Sequence, residues 1–195
     1  NKIILSDNIM QTYISILRGI NVSGHKMIKM DALCNLYEEL GFKNIRTYIQ
    51  SGNVIFQYRK SNYQDLEKKV ADNIFKEFGF EVPVMVKDLD ELKKVLKENP
   101  FVNKRKEDIK SLHVTFLSKE PGQFNFDKIV GGKYLPDEFI LSGKTIYLFC
   151  PNGYGRTKLT NNFFESKLNL VATTRNWKTI IELVNIAGDI TSDEK

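Results

Sequence analysis

Cysteine and histidine are scarce, with only Cys34, Cys150, His25 and His113 in 195 residues. Two thiols cannot build a disulfide framework, and two histidines leave too few ligands for a zinc centre. No metal site and no cofactor is expected. Long apolar runs are missing as well. None approaches the ~20 residues of a membrane-crossing helix, so a membrane partner is not expected. The opening NKIILSDNIM lacks the basic, apolar and small-residue blocks of a signal peptide. With few cysteines, this makes the cytoplasm the expected compartment. Because the chain does not begin with Met, residues 1–9 read as an extension and Met10 as a start. Several motifs are absent too: Gly-x-Ser-x-Gly, Cys-x-x-Cys, His-Glu-x-x-His and both phosphate-binding glycine fingerprints.

What is present is an ordinary globular balance, 42% hydrophobic and 27% charged. It has room for one large domain or two of about 100 residues. The net charge of +5 is unevenly spread. Residues 12–60 carry seven basic and three acidic side chains, and residues 142–180 carry six and one. The middle, 61–141, is balanced at fourteen and fifteen. Clustered positive charge favours an anionic partner, because phosphates release counterions when bound and are steered by the field.

The periodicities give two similar halves. Residues 12–17 read as a buried strand, and 30–40 as a helix with Leu33, Leu36, Tyr37 and Leu40 on one stripe. Strands at 45–50 and 53–58 flank Ser51-Gly52, a tight hairpin signal. Asn62 caps a helix with Leu66, Val70, Ile74 and Phe78 at intervals of four, ending at Gly79. A strand at 82–87 closes the first half. A connecting helix starts at Asp88, with Glu91 at capping-box spacing and Asn99-Pro100 as its stop. Residues 102–110 are polar and read as a linker. The second half repeats the order: strand 112–117, a short helix at 124–130, strands 139–141 and 144–149, helix 161–168 and a short strand at 170–172. A last helix from 175 ends at Gly188. The hairpins YIQSGNVIF (48–56) and FILSGKTIY (139–147) match at an offset of 91 residues. The expected fold is therefore α+β: two tandem ferredoxin-like βαββαβ halves, 12–98 and 111–188, arising from an internal duplication. A connecting helix and a C-terminal helix complete them. One continuous mixed sheet is the alternative.

Four segments combine arginine, asparagine, glycine and threonine beyond what packing requires. Arg18 and Asn21 follow the first strand, where Arg18 could fork onto a carboxylate or phosphate. Gln50, Ser51 and Asn53 crowd a hairpin tip. The loop Pro151-Asn152-Gly153-Tyr154-Gly155-Arg156-Thr157-Lys158 joins a strand to a helix and reads as an anion cradle. Thr173-Thr174-Arg175-Asn176 opens the last helix, with a threonine as its cap. A cation there is unfavourable unless an anion lies near. Each segment also has a plainer reading as turn, cap or brace. Cys150 reads as a small buried hydrophobe and Trp177 as core.

Taken together, LRGINVSG (17–24), RTYIQSGNVIF (46–56), PNGYGRTKL (151–159) and ATTRNWKTI (172–180) resemble a bacterial family, domain of unknown function family 1697. The resemblance runs from about Thr12 to Ala187. Ser23 and Thr157 depart from the family's usual Gly and Ser. It implies an α/β fold with two related halves and supplies no catalytic residue.

The leading expectation is an anion-binding module for nucleic acid or another phosphorylated molecule such as a nucleotide. Its ligand would be held by Arg18, Asn21, Gln50, Asn53, Gly153, Tyr154, Gly155, Arg156, Lys158, Arg175 and Asn176. Eight tyrosines and thirteen phenylalanines could stack bases on a sheet face. No RNP1-like run supports that platform. One alternative is an enzyme acting on a small phosphate or carboxylate in a cleft between the halves, with catalytic residues unknown. The other is a non-catalytic interaction protein whose motifs only brace the fold. As framed on this full set of residues, both ligand readings require Arg18, the 153–158 loop and Arg175 to converge on one surface.

Overall fold

The computed structural model of the protein describes residues 10–130 and 132–192. Residues 1–9, read above as an extension, lie outside them. The first seven elements follow the periodicities closely: β1 (Met10–Leu17), α1 (Met30–Glu39), β2 (Lys43–Tyr48), β3 (Asn53–Arg59), α2 (Tyr63–Phe78), β4 (Val84–Asp88) and α3 (Leu89–Glu98); a short α4 (Pro100–Asn103) follows them. After them come β5 (Leu112–Leu117), α5 (Gln123–Val130), β6 (Glu138–Ser142), β7 (Thr145–Phe149), α6 (Asn161–Leu168), β8 (Ala172–Asn176) and α7 (Trp177–Ser192). The fold is mixed α+β with two four-stranded antiparallel sheets, ordered β2-β3-β1-β4 and β6-β7-β5-β8. Contacts divide the chain into two compact units. One runs to Lys93 and resumes at Glu182; the other is Lys94–Ile181. Both α3 and α7 straddle this division, whereas the boundaries read from the sequence kept α3 within 12–98 and α7 within 111–188.

Local chemistry accounts for the helix ends. The Asn62 side chain accepts from the Gln64 amide, and Gly79 closes α2 in the left-handed region. Asp88 Oδ1 accepts from the Glu91 amide at 2.8 Å, as the capping-box spacing predicts. In the first unit, Tyr13, Leu17, Leu33, Tyr37, Phe56 and Val70 form the core under α1 and α2. Each such fully buried side chain contributes roughly 1.5–3 kcal/mol. Phe42 stacks on Phe56 at 4.3 Å, and Ser15 bonds the buried Tyr37 hydroxyl at 2.6 Å. In the second unit Leu117, Ile146, Leu148, Phe164 and Leu168 do the same work.

Several expectations fail, each for a physical reason. The first hairpin is not a two-residue turn at Ser51-Gly52. Tyr48 pairs with Asn53, so four residues form the tip, with Ile49 and Gly52 at positive φ. A Cβ at Gly52 would lie 2.7 Å from the Leu17 Cβ, while the Gly52 carbonyl accepts from the Leu17 amide. Close approach, as well as the turn, demands glycine there. The second hairpin closes differently, with Ser142 opposite Thr145 around Gly143-Lys144.

The two hairpins therefore correspond one residue out of step with the sequence match. Val54 and Phe56 face the first unit's helices, and it is Ile146 and Leu148 that face the second's. The matched Tyr147 points to the opposite face, where its hydroxyl donates to the Val95 carbonyl at 3.2 Å. A slip of one residue reverses every side chain in a strand.

Asn99-Pro100 does stop α3 but also starts α4, since the Asn99 side chain accepts from the Phe101 amide. The supposed linker 102–110 is mostly exposed but is tethered through Arg105. Arg105 bonds Glu107 and Glu138 at 2.6 and 2.7 Å and lies over the Phe101 and Phe149 rings. β8 extends to Asn176, so Arg175 lies in a strand and Asn176, not a threonine, caps α7 by accepting from the Thr179 amide. Gly188 does not end α7. The buried spacing Ile180, Leu183, Ala187 and Ile190 carries the helix through it.

Candidate functional site

In the second unit, a cavity of about 360 Å³ opens beside the loop singled out by its glycines. One wall is the β7–α6 connection, with Asn152, Arg156 and Lys158. The other is the turn between α5 and β6, with Lys133, Tyr134, Leu135, Pro136 and Asp137. Local bonding explains why the loop takes this shape. The Gly153 amide donates to the Cys150 carbonyl, and the 154–156 turn closes through Arg156 onto Gly153 and Thr157 onto Tyr154. Thr157 is buried and its hydroxyl accepts from the Leu159 amide, so the backbone turns inward at 157 and 159. Arg156 and Lys158 are left exposed on the rim.

These bonds change how an anion could be held. The amides of Gly153, Arg156, Thr157 and Leu159 are engaged within the loop, and α6 begins only at Asn161 under its own Thr160 cap. These four amides are therefore not offered to an anion, and the loop does not lead directly into the first turn of α6. Charge is supplied by side chains instead. Lys133, Arg156 and Lys158 bring three cations to one cavity against the single acid Asp137, and none of the three cations is ion-paired among the described residues.

Tyr154 packs inward rather than into the cavity, its ring stacked on His113 at 4.9 Å. Gly153 and Gly155 are exposed but do not line the cavity. Cys150, 0% exposed, has its thiol pushed up to about 11 by burial, which makes it an inert core residue.

Arg175 does not join this group. It follows Thr174, whose hydroxyl bonds Thr115 and Asn161 of α6, and strand alternation turns Arg175 to the face of Val114, its partner across the strands. The sheet thus separates Arg175 from α6, and the expected convergence of Arg175 with the 153–158 loop fails. Arg175 is partly buried and donates to the Thr173 hydroxyl and the Thr174 carbonyl. Burial lowers its guanidinium to about 10. Asn176 stays at the surface as the cap of α7.

In the first unit the structure does gather Arg18, Asn21, Gln50 and Asn53 at one end of the sheet. Asn21 holds the group together, donating to the Ile28 and Gln50 carbonyls and accepting from the Ile28 amide, all within 2.9 Å. Asn53 is fully buried and donates to the Tyr48 carbonyl and the Ser51 hydroxyl. The Arg18 amide donates to the Pro83 carbonyl, and Gln50 is exposed at the tip. Both asparagines are therefore spent on bracing the 21–28 loop and the hairpin.

Among the described residues of the first unit, the sheet face opposite the helices is not open for base stacking over β1, β3 and β4. The face opposite α1 and α2 carries Ile14, Ile16, Ile55 and Met85, exposed by at most 4%. Thr12, on that face, bonds Thr191 of α7 at 2.8 Å.

Among the described residues, His, Cys, Asp and Glu nowhere gather in threes as metal ligands, and no helix is long and apolar enough to cross a membrane. Sequence reasoning missed Lys133 and Asp137, and had Asn152 inside its loop segment without naming it as a ligand. The signal available was the Gly132-Lys133-Tyr134-Leu135-Pro136-Asp137 run, a turn sequence carrying a lysine between two predicted elements.

The chain is similar to a solved structure, the conserved bacterial protein SP0830 from Streptococcus pneumoniae. Sequence identity is 21% and the TM-score 0.69, with 92% of this chain and 99% of that chain covered. At that identity the likeness shows the fold. No curated protein matches the chain. Residues 10–147 match the family described as Protein of unknown function (DUF1697). That match covers well over half of the sequence, and the chain belongs to this family.

Proposed function

We propose that the protein binds a phosphate-bearing ligand, a nucleotide or the backbone of a nucleic acid, in the Lys133–Arg156–Lys158 cavity. The observation that carries this reading is three cations, without an ion pair among the described residues, against one acid in a space of about 360 Å³. That volume lies within the usual ~300–1,000 Å³ range of small-ligand sites. Like charges held this close repel, and an anion between them relieves the repulsion while Arg156 offers a planar fork to its oxygens. The basic excess of residues 142–180 points the same way. We also take each unit, with its strand-helix-strand-strand-helix-strand order, as one ferredoxin-like repeat of a duplicated pair. Phosphate contacts, not base stacking on a sheet face, would then supply the affinity. The bracing bonds of Asn21 and Asn53 support a structural role for those two residues.

Fluorescence anisotropy of labelled RNA and DNA, beside thermal shift with mononucleotides, tests the proposal. Wild type should bind at low salt and weaken as salt rises, and Arg156→Ala with Lys158→Ala should weaken binding about ten-fold or more. A flat titration at low salt together with no thermal shift from any nucleotide would overturn it.

A further inference from the structure

The first unit has its own cationic cavity, of about 670 Å³, at the matching place in its plan. Each cavity draws on the connection from its unit's third strand to its second helix, β3 to α2 in one case and β7 to α6 in the other. We infer that the β3–α2 cavity is a second, independent site for a phosphate-bearing anion, held by Arg59, Lys60 and Lys69.

Two of these cations are positioned by groups that leave their charge uncancelled. Lys69 Nζ donates to the Leu40 carbonyl at 2.7 Å and lies 4.9 Å over the Tyr58 ring and 5.2 Å over Phe42. The Arg59 guanidinium lies over Tyr58 at 5.5 Å. Carbonyl and ring partners orient a cation without neutralising it as a carboxylate would. Among the described residues none of Arg59, Lys60 and Lys69 is ion-paired. Asp65 is the one acid on the wall, and the cavity keeps an excess of positive charge.

The start of α2 is not the binding element. The Ser61, Gln64 and Leu66 amides donate to the Tyr13 hydroxyl, the Asn62 side chain and the Asn62 carbonyl. Recognition therefore rests on the three side chains, which suits an anion with several exposed oxygens such as a diphosphate.

The test is a titration of the 15N-labelled full chain with inorganic pyrophosphate at low salt, following backbone amide shifts. Saturable shifts are expected around residues 59–66, separate from any around 152–158. Arg59→Ala with Lys60→Ala, both exposed positions, should abolish the first set and leave the second. Asp65→Asn should tighten the first site about three-fold by removing one like-charged neighbour. Thermal melts of each variant confirm that it is folded. Absence of shifts at 59–66, shifts that survive the double substitution, or an affinity indifferent to Asp65→Asn would each overturn the inference. Loss of the 152–158 shifts alone would bear only on the cavity of the second unit.

Discussion

His113 lies in the central strand of the second sheet, 8% exposed, with the Tyr154 ring stacked against it. Burial, the largest cause, holds its imidazole below the ordinary value of 6.5, partly offset by a bond with the Ser111 backbone. The sign of the consequence follows from linkage. As pH falls through 6.5 the unfolded chain takes up this proton before the folded one, so stability present above that pH is lost until the folded value is passed. His113→Phe keeps a ring for Tyr154 and removes the titration. Urea midpoints of wild type, relative to this variant, should fall on acidification across about pH 7.5 to 5.5. A difference that stays flat would show that His113 is not the group responsible. At this scale the sequence announced residue types better than their tasks. Asn21, Asn53 and Tyr154 are polar residues in suggestive loops, yet their partners are the Ile28 and Gln50 carbonyls, the Tyr48 carbonyl and the His113 ring. Partners as distant along the chain as Gln50 is from Asn21, or His113 from Tyr154, leave no local pattern, and the nearer Ile28 and Tyr48 carbonyls are reached only once each loop has its shape.

Elements were most legible where a local rule and the hydrophobic period agreed. Asn62 and Asp88 cap helices where their spacing placed them. Failure came where a single residue was taken to outrank the period. Gly188 looks like a stop, but it lies inside α7 because burial at Leu183, Ala187 and Ile190 continues across it. A Cβ built on Gly188 meets nothing within 4 Å, and its backbone is helical. Gly188→Ala should therefore stabilise the protein by about 0.5–1 kcal/mol, through a smaller entropy loss on folding and better helix propensity. Chemical denaturation checks this, and a destabilised variant would mean that a glycine is required there for close packing. The hairpins teach the converse lesson. Ser-Gly occurs in both, yet a four-residue tip in one and a two-residue tip in the other shift the register by one, which no comparison of the two strings reveals.

On the scale of the whole molecule, the repeated order of strands and helices was readable, but the closing of each unit was not. The natural reading cuts the chain in the polar stretch 102–110. That stretch is instead pinned by Arg105 to Glu107 and Glu138. The first unit reaches past the second to recover residues from Glu182 onward. Thr12 of β1 then meets Thr191 of α7 at 2.8 Å, on the face that buries Ile14 and Ile16. A fragment ending at residue 98 lacks this part of α7 and would expose aliphatic surface on its sheet, each side chain costing about 1.5–3 kcal/mol when left in water. Against a typical total of about 5–15 kcal/mol, the loss of a few such residues is decisive. The fragment 10–98 should therefore show no cooperative thermal transition, or one far below that of the full chain. Adding a peptide of residues 177–192 in excess should restore part of it, because whatever binds only the folded form raises its stability by mass action. A fragment as stable as the full chain, indifferent to the peptide, would mean that α1, α2 and the first sheet suffice, and that the return of α7 is an accessory to the fold.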